Sequence, residues 1–324
     1  MTSFWNDLPQ SFFVLAPMEA VTDVVFRHVV ERAGAPDVFF TEFANATGWV
    51  HAGDRAIAGR LVKTDDEHPL VAQIWGGEPG DMEQFTQHCA RLGFAGIDIN
   101  MGCPAKSAIK SGGAALIRNP DVAVAAIAAA KTAGLPVSVK TRLGYSTVDE
   151  WRAWLTTLLQ QDIVNLTVHL RTKKEMSKVA AHYELIDDIV ALRDAIAPQT
   201  LLTINGDIRD RAHGMALVAA HPGVNGVMIG RGVFADPFCF APHADDTVQS
   251  AGSLVQRNFA LLRYHLDLFD HWQPQLGRPY ETLKRFYKIY IRDFDGAKEL
   301  RDQLMHATST DEARNFIKNT RYAI

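Results

Sequence analysis

Short apolar runs rich in Val, Ile, Leu and Phe recur along this chain, separated by longer stretches whose apolar residues return every three or four positions. The runs cover Phe12–Ala16, Val38–Thr41, Leu70–Ile74, Gly96–Ile99, Val137–Thr141, Asn165–His169, Leu201–Asn205 and Gly226–Ile229. They alternate only partly, as strands buried on both faces of a parallel sheet do. Between them, Gly80–Leu92 follows Pro79 and sets Met82, Phe85, Cys89 and Leu92 at helical spacing. Asn119-Pro120-Asp121 opens an Ala-rich helix that runs to Gly134. Intervals of roughly 25–40 residues suit one strand plus one crossover helix. Eight such units predict an α/β fold of the closed (β/α)8 (TIM) barrel type. The alternative, a doubly wound sheet, is disfavoured because no GxGxxG follows the first run.

The pattern changes after Asp236-Pro237. Pro242-His243-Ala244-Asp245-Asp246 reads as a linker, and the rest is purely helical. Leu283, Phe286, Tyr287, Tyr290, Ile291 and Phe294 form one apolar stripe at helical spacing, Gly296 is a stop, and Ser309-Thr310-Asp311-Glu312 is a capping-box start. The expected division is a barrel over residues 1–242 and a helical domain over 246–324.

Composition changes this picture little. With 324 residues, 47% of them apolar and 22% charged, the chain can bury a large core. Its N-terminus lacks the basic-then-apolar order of a signal peptide, and no apolar run approaches the ~18 residues of a membrane helix. Three cysteines, Cys89, Cys103 and Cys239, lack CxxC spacing. The expectation is a cytoplasmic monomer with no membrane partner and no metal. Charge is more informative in its distribution. The net charge is −4, yet Arg257–Ile324 carries 12 Lys and Arg against 9 Asp and Glu. Lys284, Lys288 and Arg292 recur every four residues opposite the apolar stripe, with Arg285 beside them, as basic residues on the solvated face of a helix commonly do.

Candidate chemistry collects where strands end, which in a barrel is the active-site mouth. Gln73, Asn100, Lys140, His169 and Asn205 each close an apolar run. Asn205-Gly206-Asp207 and Gly230-Arg231-Gly232 follow the seventh and eighth runs, the usual barrel phosphate site. A phosphate there, with Lys140, Gln73 and His169 pointing inward, suits a flavin mononucleotide (FMN). Lys140 would stabilise negative charge on the reduced ring, Gln73 would bond its polar edge, and Pro17 and Met18 would pack beneath it. Cys103 lies in a glycine-containing loop past the fourth run. A thiol near its ordinary pKa of ~8.5 is protonated at neutral pH and can donate a proton while hydride reduces a conjugated C=C bond.

Several segments resemble the tRNA-dihydrouridine synthases. Ala16-Pro17-Met18-Glu19-Ala20-Val21-Thr22-Asp23 is similar to that family's opening signature, and Asn100-Met101-Gly102-Cys103-Pro104 followed by Gly112-Gly113-Ala114-Ala115-Leu116 is similar to its central one. Val139–Gly144, Val168–Thr172, Asn205–Ile208 and Gly230–Gly232 match later motifs in order, and Gly296–Arg301 fits the family's helical RNA-binding domain. The resemblance implies tightly bound FMN, NADPH as electron donor, and reduction of uridine to 5,6-dihydrouridine in tRNA. It assigns Cys103 as the proton donor and Asn100 to the flipped uracil. Gln73, Lys140, His169, Asn205, Asp207, Gly230 and Arg231 would hold the flavin, with Arg142 and Arg171 as substrate contacts and Lys284, Lys288 and Arg292 on the RNA. The chain departs from the pattern at Ala20, at Leu170 and across Glu175–Tyr183. The runner-up, a flavin barrel acting on a free pyrimidine, has no use for a basic tail. A catalytically idle RNA-binding barrel would need no flavin.

Overall fold

A computed structural model describes residues 3–105, 108, 112–242 and 254–320. The expected linker after Pro242, and with it the boundary at residue 246, lies outside the described residues.

Nine strands form one sheet: β1 (Phe12–Leu15), β2 (Phe39–Phe40), β3 (Ala44–Asn45), β4 (Leu70–Trp75), β5 (Gly96–Met101), β6 (Val137–Arg142), β7 (Asn165–His169), β8 (Leu201–Asn205) and β9 (Gly226–Ile229). Neighbours pair in parallel from β2 through β4 to β9, and β9 pairs β1. A bridge between Val14 and Val38 closes the ring. Eight strands and the helices between them make the expected barrel. The sequence pattern missed only β3, two residues that add to β4 past the end of β2.

The strands sit where burial on both faces dictates. Every residue of β1, β5 and β9 is buried, so each strand trades an apolar run for core on the outer side and barrel filling on the inner. Helix Val24–Gly34 starts because Asp23 accepts the Phe26 N–H at 3.0 Å, and helix Pro79–Arg91 starts on a proline that needs no donor.

The tail packs back on the barrel near its first helix. Phe26 stacks on Phe286 at 4.9 Å between ring centres, and Phe234 stacks on both rings. Arg278 reaches the barrel at Asp23, 3.2 Å away, and at the buried Glu42. Desolvation holds the Glu42 carboxyl up at about 7 in spite of that guanidinium.

The apolar stripe of 283–294 is buried as expected, with Phe294 half-buried at its end, but it is not one helix. Tyr280–Phe286 is a 3-10 helix, Tyr287–Tyr290 a single α turn, and Ile291 leaves the helical region. The carbonyl of Ile291 is taken by Arg301 at 2.6 Å, so the chain turns where a longer helix would continue. Gly296, at φ 90°, precedes helix Ala297–His306 and opens it, where a helix stop was expected. The last helix, Thr310–Lys318, begins at Ser309, whose hydroxyl accepts the Glu312 N–H.

Candidate active site

The carboxyl ends of the strands surround a cavity of about 460 Å³. Pro17 and Met18 border it from β1, Lys140 and Arg142 from β6, His169 from β7, Asn205 and Asp207 from β8, and Gly230 and Arg231 from β9. Eight residues expected around a cofactor are thus brought together. Gln73 is the exception. It is fully buried below the cavity, its Nε2 donating to Asp98 at 2.7 Å and its Oε1 accepting from Asn100 at 2.9 Å.

The cavity is electropositive. Lys140, Arg142 and Arg231 face it, and the one carboxylate among its lining residues, Asp207, is already bound by Arg171 and by Arg231 at 2.9 Å. Lys140 Nζ lies 3.4 Å from Asn205 Oδ1. Burial, and then Arg142, lower its pKa to about 8. His169 is held well below its ordinary value by burial and by Arg142, Lys140, Arg171 and Arg231, so its ring is neutral at pH 7 and serves as a hydrogen-bonding group. This much positive charge around one cavity suits an anion.

The two arginines expected to touch substrate do different things. Arg142 borders the cavity while bonding the carbonyls of Gly102 (2.7 Å), Thr172 and Met176 (both 3.1 Å). Arg171 is 1% exposed and holds Val179 O at 2.7 Å, His169 Nε2 at 3.2 Å and Asp207. It is an interior tether, not a rim contact. The loop after β7 folds back toward the mouth, where its Ser177 borders the cavity, and its carbonyls accept from both arginines. That loop spans the chain's departure from the family pattern, and it presents Met176 and Val179 at its surface, 45% and 43% exposed.

Cys103 is half-buried at the mouth. Asn100 Oδ1 accepts the N–H groups of Gly102 (3.1 Å) and Cys103 (2.9 Å). From the other side, Ala114 donates to Cys103 O at 3.1 Å. The adjacent Gly113 has φ 54°, and a β-carbon there would come within 3.0 Å of that same oxygen, which explains why glycine follows the cysteine motif. Burial pushes the thiol pKa up, and Glu19 adds to this, while Arg142 and Lys140 are near enough to oppose it. The thiol is therefore protonated at neutral pH. Cys89 and Cys239 are buried at 0% and 2% exposure, and burial lifts Cys89 to about 12.

A second, larger cavity of about 950 Å³ lies between the mouth and the tail, and Arg231 borders both. Lys284, Arg285, Lys288, Lys298 and Arg301 line it, with Glu299 and Asp302 the acids. Two of the three expected tail cations are there. Arg292 is not, because the turn after Tyr290 leaves it beside Asp293, 3.5 Å away. Sequence reasoning passed over Asp98, whose signal was a carboxylate inside an otherwise apolar run, and the Arg278–Glu42 pair, which carries no local signal.

A parallel barrel with an anion-seeking mouth and a protonated thiol just past the end of one strand defines a class of enzyme-like sites. Residues 14–323 match the family model "Dihydrouridine synthase (Dus)". A Bacillus subtilis protein named "Probable tRNA-dihydrouridine synthase 2" is 56% identical over 317 residues, 97% of this chain and 95% of that one. A Staphylococcus aureus (strain Mu50) protein named "Probable tRNA-dihydrouridine synthase" is 52% identical, with 97% and 94% covered. This chain belongs to the dihydrouridine synthase family. A match to a solved 2,3-dimethylmalate lyase covers 85% of this chain and 99% of that one, at TM-score 0.49 and 18% identity.

Proposed function

We propose that this protein reduces the C5=C6 bond of a uridine in tRNA, with FMN in the mouth cavity and NADPH as the electron source. The observation that carries the reading is a protonated, half-buried thiol next to Gly102, whose carbonyl is bonded by Arg142 of an electropositive cavity, in a dihydrouridine synthase chain. The cavity's chemistry fits the flavin. Gly230 and Arg231 offer a phosphate backbone groups and a guanidinium, Lys140 sits where negative charge needs a cation, and Pro17 and Met18 give an apolar wall. When bound and reduced, the flavin supplies hydride to C6 of the uracil.

The chain's own residues supply the rest. Cys103 donates its proton at C5, and Arg142 and Lys140 stabilise the thiolate left behind. Asn100, 6% exposed beside the thiol, holds the loop and one polar edge of the base. The basic groove under Lys284 and Lys288 holds the RNA while the target base leaves its stack. The uridine enters as part of a folded RNA, a reading supported by Arg231, which borders both the groove and the mouth.

The test compares transcribed tRNA with free uridine as substrates for the purified protein. Turnover of tRNA is expected, with free uridine slower by roughly a hundredfold or more. Comparable turnover of free uridine would replace this reading with a small-pyrimidine reductase.

A pH dependence follows from Lys140. Its ammonium is charged below about 8 and neutral above. Affinity of the apoprotein for FMN should therefore fall as pH rises through that value, by roughly tenfold toward pH 9.5. Lys140→Met should bind weakly throughout and lack that fall; fluorescence titration of FMN at several pH values reads both.

A further inference from the structure

The mouth thiol has a support that neither the motif nor the family assignment includes. Asp98 lies in β5, fully buried, facing Gln73 of β4 and Ser138 of β6 in the pairing register. Ser138 Oγ donates to its Oδ1 at 2.7 Å, and Gln73 Nε2 donates to its Oδ2 at 2.7 Å. Gln73 Oε1 then accepts from Asn100 Nδ2 at 2.9 Å, and Asn100 Oδ1 accepts the Gly102 and Cys103 N–H groups.

An amide side chain can turn over at little steric cost, so two amides in series have several possible polarities. Here both ends are fixed. The loop's backbone groups can only donate, so the far amide must show them its oxygen. A carboxylate only accepts, so the near amide must show it nitrogen. Between those ends one arrangement satisfies every buried polar atom, and an amide left without its partner in this interior would be costly. Burial raises the Asp98 carboxyl to about 6, with Ser138, Gln73 and Lys140 pulling it back, so it is mainly ionised at neutral pH.

We propose that Asp98 is a positioning residue: as the terminal acceptor of the Gln73–Asn100 amide chain, it fixes the polarity that holds the Gly102-Cys103 turn and so aims the thiol into the mouth. Its importance for the reaction rests on the reading of Cys103 as proton donor; its role in ordering the turn does not. Gln73 is thereby occupied as a relay within the barrel floor.

The test uses the holoenzyme with Asp98→Leu, which keeps the shape and removes the acceptor, and Asp98→Asn, which removes the charge but can keep an oxygen toward Gln73. Two quantities are read: the maximal rate on tRNA, and hydrogen exchange of the peptide covering residues 100–104. Asp98→Leu should slow the rate roughly ten- to hundredfold and speed exchange in that peptide about tenfold, while the rate at which NADPH bleaches the flavin stays within about twofold. Asp98→Asn should return both quantities to within roughly threefold of the parent.

Equal damage from Asn and Leu would show that the charge beside Lys140 matters, and would overturn the proposal. So would parent-like values in Asp98→Leu. Should Asp98→Leu fail to fold, the parent and Asp98→Asn still decide: the 100–104 amides must exchange slowly in both, and open-loop exchange in the parent contradicts the relay. A parent that orders this turn yet makes no dihydrouridine would sink the functional reading alone.

Discussion

Cys103→Ala should leave a yellow protein whose flavin NADPH still reduces, while dihydrouridine formation falls by about two to four orders of magnitude. The expectation follows from the thiol's surroundings. Burial and Glu19 keep it protonated, Arg142 and Lys140 are placed to receive the thiolate, and the turn that carries it is held from both sides by Asn100 and Ala114. No other sulfur can substitute, because Cys89 and Cys239 are packed in the core. The Cys103 carbonyl, not its thiol, makes the contact with Ala114, so alanine should keep the loop's fold. Single-turnover assays with prereduced enzyme separate the chemical step from flavin loading. A variant that reduces tRNA at the parent's rate would remove Cys103 from the reaction.

Lys284→Glu with Lys288→Glu reverses two charges in the groove and should weaken tRNA binding roughly ten- to hundredfold near 100 mM salt. The slope of log affinity against log salt should drop in magnitude by about 2, one for each lost phosphate contact. Both side chains line the large cavity with Arg285, Lys298 and Arg301, and neither takes part in an ion pair among the described residues. The barrel fold does not depend on them, so flavin content should not change. Arg292→Glu serves as an internal comparison. It lies outside the groove, and its substitution should alter the salt slope little. Unchanged affinity in the double variant would place the RNA on another surface.

Much of this architecture was written locally. Strands buried on two faces need unbroken apolar runs, and all eight anticipated strands match within two residues at each end. The edge segment Ala44–Asn45 was invisible, since two residues of no special apolarity make no pattern. The stripe from Leu283 to Phe294 marked a buried face but not its geometry, because Arg301 captures the Ile291 carbonyl from ten residues away and no periodicity encodes such a bond.

The site divides the same way. Lys140, His169, Asn205 and Arg231 could be placed at the mouth because a barrel puts strand ends there. Whether an inward residue borders the cavity or is spent inside depends on distant partners. Gln73 belongs to Asp98, and Arg171 belongs to Asp207 and the folded-back loop. Asp98, a carboxylate inside an apolar run, has its meaning from Ser138 and Gln73 on the neighbouring strands.

The most direct check of the whole account is a position-by-position map of dihydrouridine in tRNA from cells with and without this gene. At least one dihydrouridine should become uridine in the deletion, return when the intact gene is restored, and stay absent when the gene carries Cys103→Ala. A map identical with and without the gene would mean that the barrel mouth, whatever it binds, does not reduce tRNA.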